Sequence, residues 1–424
     1  MNELFFEILQ VAIGNRKALS RTLSAEEWEE VYEECKKQAV AGIAFAALER
    51  LPKEQLPPGR RIRQWAVKAD KIREHNARLT KESAQICRYF EQNGFEAVIL
   101  KGQANYAYYP EWLQGLRSTG DIDVWCWPKA DAYETQAEPA APACWLSQSE
   151  ATERTIREQS SYDNVRRVIE FCLSKRKGKY VYYHNMDFPI LPETPVEVHY
   201  RPTWLYNPFA NRRLQRWFGQ FTVYSSQCTV KGFKVASVEF DVVFHLLHLY
   251  KHIFEEGIGL RQLLDYYFVI TKYGDFVRKR NATLRNAIGD CYENDIKDNK
   301  DNQDNLSGII AKLGLKEFAG AVMYVMSEVF AMPREIMLCE PREREGKQLL
   351  DEIMRGGNFG KYDERYNWAE TTNGSMEYRG ADYAVTRLRH NARFLFTYPS
   401  EVLWEPVFRI YHWFWRRFRL WRYS

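Results

Sequence analysis

The chain has 424 residues, a formal net charge of +4, and 45% apolar, 15% aromatic and 27% charged residues. This is a globular composition long enough for two or three domains, which excludes a disordered chain, and its near-neutral balance argues against a dedicated nucleic-acid binder. Its eight cysteines show no CxxC spacing, so neither a zinc site nor a disulfide framework is expected, and a reducing cytosol is the default compartment.

The first residues, Met1-Asn-Glu-Leu-Phe-Phe-Glu7, carry acids where a signal peptide needs bases. No stretch reaches the roughly 20 uninterrupted apolar residues of a spanning helix, so a cytoplasmic location is expected. Residues 2–93 read as helical. Glu3 to Ile13 is amphipathic, and Ser24 with Glu27 forms a capping box before a helix predicted to reach Leu48. After the break at Pro52, Pro57, Pro58 and Gly59, a long helix runs from Ile62 to Glu91 and stops at Asn93-Gly94. Its stripe of Ile72, Leu79, Ile86 and Phe90 is read as core.

The most informative stretch is 97–125. Ala97 to Leu100 reads as a buried strand ending in Lys101-Gly102, Gln103 to Tyr109 as a short helix, and Asp121 to Trp125 as a second strand. Side chains alternate along a strand, so Asp121 and Asp123 share a face, roughly 7 Å apart. Two carboxylates so placed suit a divalent cation bound through oxygen, or else a solvated face. A glycine between strand and helix can present backbone N–H groups to phosphate, and Lys101 and Arg117 add positive charge nearby.

These residues carry a family resemblance. Leu100-Lys-Gly, Arg117 and Gly120-Asp-Ile-Asp resemble an uncharacterised bacterial nucleotidyltransferase family of the DNA polymerase beta-like superfamily. The superfamily usually has Gly-Ser or Gly-Gly at the helix start, whereas this chain has Gly102-Gln103, and the hydroxyl that normally touches a phosphate is missing.

Further along, Ala137 to Cys144 is a Pro/Ala-rich break and 151–175 a charged helix, followed by the basic run Lys175 to Lys179. Tyr180–His184 and Pro195–Tyr200 read as strands, with Glu197 and His199 on one face of the second and Val196 and Val198 on the other. The resemblance puts the superfamily's third acid at Glu197; a plain edge-strand glutamate is the alternative. A Trp/Arg-rich stretch, 204–218, leads to a hairpin of 221–230 with 233–236, turned at Lys231-Gly232. From Ser237 the chain reads helical again. His245, His248 and His252 lie on one helix face without the Glu of a His-Glu-x-x-His motif. Arg261 and Asp265 read as an intrahelical pair or as pocket-lining residues. Residues 290–305 form a polar, acidic loop, 306–330 are helical again, and 356–380 are irregular. The aromatic and basic tail suits packing, with membrane-surface contact the less favoured alternative.

Together these readings predict an α+β fold, a nucleotidyltransferase-type mixed sheet flanked by a helical N-terminal region (1–94) and a helical C-terminal region (237–424), with the catalytic domain at 95–236. The resemblance implies Mg²⁺-dependent transfer of a nucleotidyl group from an NTP to an unknown acceptor. Asp121, Asp123 and Glu197 would be catalytic and hold two metals, and Lys101, Gly102, Gln103 and Arg117 would bind the nucleotide. The alternative is a catalytically inactive binding or scaffold protein on the same fold, possibly membrane-peripheral.

Overall fold

A computed structural model describes residues 2–129, 162–175, 181–221, 229–288, 306–365 and 381–419. The sequence readings of 137–144, 151–161, 176–180, 222–228, 290–305, 366–380 and 420–424 fall outside these residues. The fold is α+β, with a small mixed sheet and helical N- and C-terminal regions. The chain divides into two compact units, each assembled from three separate segments.

The first unit comprises residues 1–76, 108–118 and 242–404. Its helix Asn2–Ile13 is buried almost all round, with Phe5, Ile8, Leu9, Val11 and Ala12 in the core, as expected of a central helix rather than a surface one. The amides of Gln10 and Asn15 donate to the carbonyls of Val329 (3.2 Å) and Phe330 (2.6 Å). These lie in the last turn of the helix Lys316–Phe330, where backbone oxygens have no partner of their own. The Ser24–Glu27 capping box forms as the sequence indicates. The helix it starts does not reach Leu48, however: it ends at Lys37, and Ala41–Leu48 is a separate helix. Ala39 adopts a left-handed backbone (φ 56°), which breaks the ladder without a Gly or Pro to announce it.

Segment 108–118 is fixed within this unit by several bonds. Asn76 donates to the carbonyls of Gly115 and Arg117, both at 2.7 Å. Gly42 lies so close to Leu116 that an added Cβ would meet its carbonyl oxygen at 2.1 Å. Arg117 grips the buried Asp265 with two bonds of 2.6 Å, and the Tyr109 hydroxyl donates to the same carboxylate at 2.8 Å. The Arg261 guanidinium donates to the Ser118 carbonyl (2.7 Å) and lies over the Phe359 ring. Asp265 is thus bound by residues from far along the chain, beyond the local pairing that spacing suggests.

The second unit comprises 77–107, 119–241 and 405–424 and holds the sheet. Four strands, β1 (Phe95–Ile99), β2 (Ile122–Pro128), β3 (Asn185–Asp187) and β4 (Val196–His199), lie in the order β1-β2-β4-β3. Only β2 and β4 run parallel. One sheet face is apolar: Ala97, Ile99, Val124, Cys126, Met186, Val196 and Val198 join one cluster with Leu79, Ile86 and Phe90 and with Val165, Val168, Ile169 and Cys172 of the helix Tyr162–Lys175. Burial pushes the Cys87 thiol up to about 12, so it serves as a small core group. Of the predicted third strand, the described residues 181–184 form an isolated bridge at Val181, and β3 itself follows at Asn185–Asp187. The hairpin is short, Thr229–Val230 with Phe233–Lys234, turned at the left-handed pair Lys231-Gly232.

The helix Pro399–Arg419 corrects one expectation. Trp415 is packed (6% exposed), but Trp413 and Phe418 are 61% and 63% exposed, so the tail is not simply a packing helix.

Candidate active site

The site is built on the polar face of the second unit's sheet. Parallel pairing sets Asp123 of β2 opposite Glu197 of β4, and Trp125 opposite His199. Alternation then sends Asp123, Glu197 and His199 to one side, while their apolar neighbours enter the core on the other. The antiparallel β3 adds Asn185 opposite His199 and Asp187 opposite Glu197.

Asp123 is 1% exposed and is bound on both oxygens. Oδ1 lies 3.0 Å from His199 Nε2, and Oδ2 lies 3.0 Å from the Lys101 ammonium. Lys101 also approaches Asp121 Oδ2, at 3.9 Å. Asp121 precedes β2 rather than lying within it, and its side chain is 39% exposed. Glu197 Oε2 lies 3.7 Å from His199 Nε2 and accepts from the Asn185 amide at 2.5 Å. Ligand atoms of Asp123, Glu197 and His199 all fall within 4.8 Å of one another, close enough to share one cation.

Charge explains the proton states. Burial would strip the charge from Lys101, but the nearby Asp121, Asp123 and Glu197 outweigh it and hold the ammonium well above its ordinary range. Burial also pushes Glu197 up, yet the neighbouring His199 and the charge of Lys101 bring it below the usual carboxylate range. His199 is buried, which disfavours its charge, but the bond to Asp123 and the nearby Glu197 carboxylate raise it above the ordinary imidazole value. Asp187 is raised by burial and by the neighbouring Glu197 charge.

The histidine geometry bears on a metal. Nδ1 faces the Pro202 carbonyl at 3.1 Å while Nε2 faces the Asp123 carboxylate. Both partners are acceptors, and a neutral imidazole has only one N–H. The ring therefore carries either two protons or a cation at Nε2, with Nδ1–H held by the backbone in the manner common for metal-binding histidines. The Asn185 Oδ1 atom is buried beside Glu197 with no protein partner. Two carboxylates and an imidazole nitrogen form a donor set that suits a divalent cation.

The other expected residues are placed as follows. Gly102 has φ +65°, and a Cβ there would meet Thr119 Cγ2 at 3.0 Å, so the turn after β1 requires glycine. The segment Gly102–Ala107 is a 3₁₀ helix, and the Gln103 side chain is 2% exposed. Arg117 belongs to the first unit, in the Asp265 pair already described. His245 is buried, and the His248 and His252 rings meet edge to face at 4.3 Å. Among the described residues the group able to share a cation is Asp123, Glu197 and His199 rather than these three histidines. His199 had no assigned role in the sequence. Its signal was the period-two pattern Glu197-Val-His199, which needs the β2–β4 register before it acquires meaning.

A mixed sheet that presents a buried aspartate, a half-buried glutamate and a histidine beside a lysine defines an α+β protein with a polar centre able to hold a cation. The chain matches the family described as "Uncharacterised nucleotidyltransferase" over residues 24–286, more than half its length, and belongs to that family. Membership gives it nucleotidyl transfer as its general class, with a nucleotide as substrate. No curated protein and no solved structure matches the chain significantly.

Proposed function

We propose that the protein moves a nucleotidyl group from a Mg²⁺-bound NTP to an acceptor, with its centre at Asp123 and Glu197. The observation that carries this reading is the parallel register that seats these two carboxylates side by side, with the Lys101 ammonium 3.0 Å from Asp123. Asp123, Glu197 and His199 would hold a first divalent cation, and Asp121, at the rim, would share a second. When bound, the cations neutralise charge developing on the phosphoryl oxygens. Lys101 balances the carboxylates and can turn its charge to the nucleotide's phosphates. Gly102 keeps the backbone open to approach, and Gln103, its side chain buried, would contribute only its backbone N–H.

In the transfer, the acceptor oxygen bonds to the α-phosphorus as the α–β phosphoanhydride bond breaks and pyrophosphate leaves. The acceptor's proton passes to Glu197, which is ionised at neutral pH and partly open to solvent, and from there to water. A second reading, a binding protein that has lost catalysis, is favoured by Gln103, whose side chain is buried where the superfamily places a phosphate-touching hydroxyl.

Mn²⁺ titration followed by electron paramagnetic resonance tests the centre. Wild type is expected to bind Mn²⁺ at least about tenfold more tightly than Glu197→Gln, since a charged ligand is lost while the shape is kept. Equal affinities in wild type, Glu197→Gln and Asp123→Asn would place the cation elsewhere.

A further inference from the structure

The helix Pro399–Arg419 has two apolar faces, and among the described residues one is packed while the other stays exposed. Within the second unit, Phe408, His412 and Trp415 turn inward. Phe408 packs against Tyr183 (5.2 Å between ring centroids), Trp204 (5.9 Å) and Tyr206 (5.4 Å), and Trp415 against Tyr183 (6.2 Å). Away from these contacts, Val407, Ile410, Phe414 and Phe418 recur at spacings of three and four residues and are 50%, 62%, 48% and 63% exposed. Trp413, at 61%, extends the same surface.

We propose that this outward face docks on an anionic lipid surface. Charge selects that partner. From Val407 to Phe418 the helix carries no acid, while Arg416 and Arg417 are exposed along it. The acid one turn earlier, Glu405, is buried and paired with Arg409. An apolar stripe with tryptophan and tyrosine, flanked only by arginine, matches an interfacial helix: its rings enter the boundary between headgroups and acyl chains, and its guanidinium groups meet lipid phosphates. No described helix is long and apolar enough to cross a membrane, so the helix would lie along the surface. A second copy of the chain would cover the apolar stripe but would bring the same arginines face to face.

The full chain should be tested by co-sedimentation with vesicles of mixed phosphatidylglycerol and phosphatidylcholine, and with phosphatidylcholine alone. Binding to the anionic vesicles is expected, with a blue shift of tryptophan emission, and release at about 1 M salt, where charges are screened beyond about 3 Å. The double variant Ile410→Glu/Phe414→Glu should lose vesicle binding while keeping wild-type nucleotide affinity and thermal unfolding, because both side chains point outward. Removing Arg416 and Arg417 together should weaken partitioning about 25-fold, at roughly fivefold each. The proposal is overturned if wild type ignores anionic vesicles, or binds both kinds equally at any salt. It is equally overturned if the chain forms a dimer that Ile410→Glu/Phe414→Glu disperses and no vesicle competes for.

Discussion

Arg117→Ala is expected to lower the unfolding free energy by about 3–5 kcal/mol at neutral pH, measured by denaturant titration of the full chain. Asp265 is almost fully buried, and Arg117 supplies both of its 2.6 Å charge-assisted bonds, leaving the Tyr109 hydroxyl and the nearby His245 when it is removed. The pH dependence should change sign. In the wild type, burial pushes the Asp265 carboxyl up, but the Arg117 charge and hydrogen bonds outweigh it and hold it below its ordinary value. The pair therefore stabilises the fold above the ordinary carboxylate value of about 3.9 and loses that contribution as pH falls through the lower folded value. Without Arg117, only the Tyr109 bond and the His245 charge oppose burial, and the folded carboxyl is expected to lie above its unfolded value. The variant should then gain stability as pH falls through that raised value, and Arg117→Ala/Asp265→Asn should recover part of the loss. A variant as stable as wild type that binds nucleotide more weakly would instead return Arg117 to the triphosphate role implied by the resemblance.

Asp123→Asn should reduce transfer, read as pyrophosphate release, by at least about 10²–10³-fold. The amide keeps the shape of a side chain that is 1% exposed, so the circular dichroism of the fold should be retained. What is lost is the charge on which Lys101 and His199 converge, each at 3.0 Å. Lys101→Ala makes the contrast, since it removes a phosphate partner but no cation ligand. It should weaken nucleotide affinity without weakening Mn²⁺ binding, since a positive charge beside the cation ligands is removed. If Asp123→Asn releases pyrophosphate as fast as wild type, this carboxylate is a structural partner of Lys101 and takes no part in the chemistry.

Local pattern disclosed the elements that carry the site, but long-range pairing disclosed their meaning. Alternation placed Glu197 and His199 on one strand face, and Asp123 on another, because period two is a property of each strand alone. That β2 and β4 run parallel with Asp123 beside Glu197 depends on contacts between distant segments, so His199 acquired a role only in three dimensions. The same holds for Asp265. Spacing offered Arg261 one helical turn away, whereas the bidentate partner is Arg117, far earlier in the chain. Contiguous boundaries at 94 and 236 follow from reading along the chain. Packing instead collects segments such as 108–118 with residues beyond 242, through bonds such as Asn76 to Gly115. The left-handed Ala39 carries no compositional mark, which is why one helix was expected where two form. The tail's aromatic content was plain, but which rings meet Tyr183 and which meet solvent depends on the helix's rotation against the second unit.

The most direct test of the central claim is isothermal calorimetry of the full chain with each of the four NTPs in the presence of Mg²⁺, on wild type and Asp123→Asn side by side. Wild type is expected to bind at least one NTP, with Mg²⁺ required, and Asp123→Asn to lose most of the affinity while remaining folded. No heat of binding to wild type with any NTP at millimolar concentration, from protein of native circular dichroism, would contradict that claim and leave the non-catalytic binding protein as the reading of this fold.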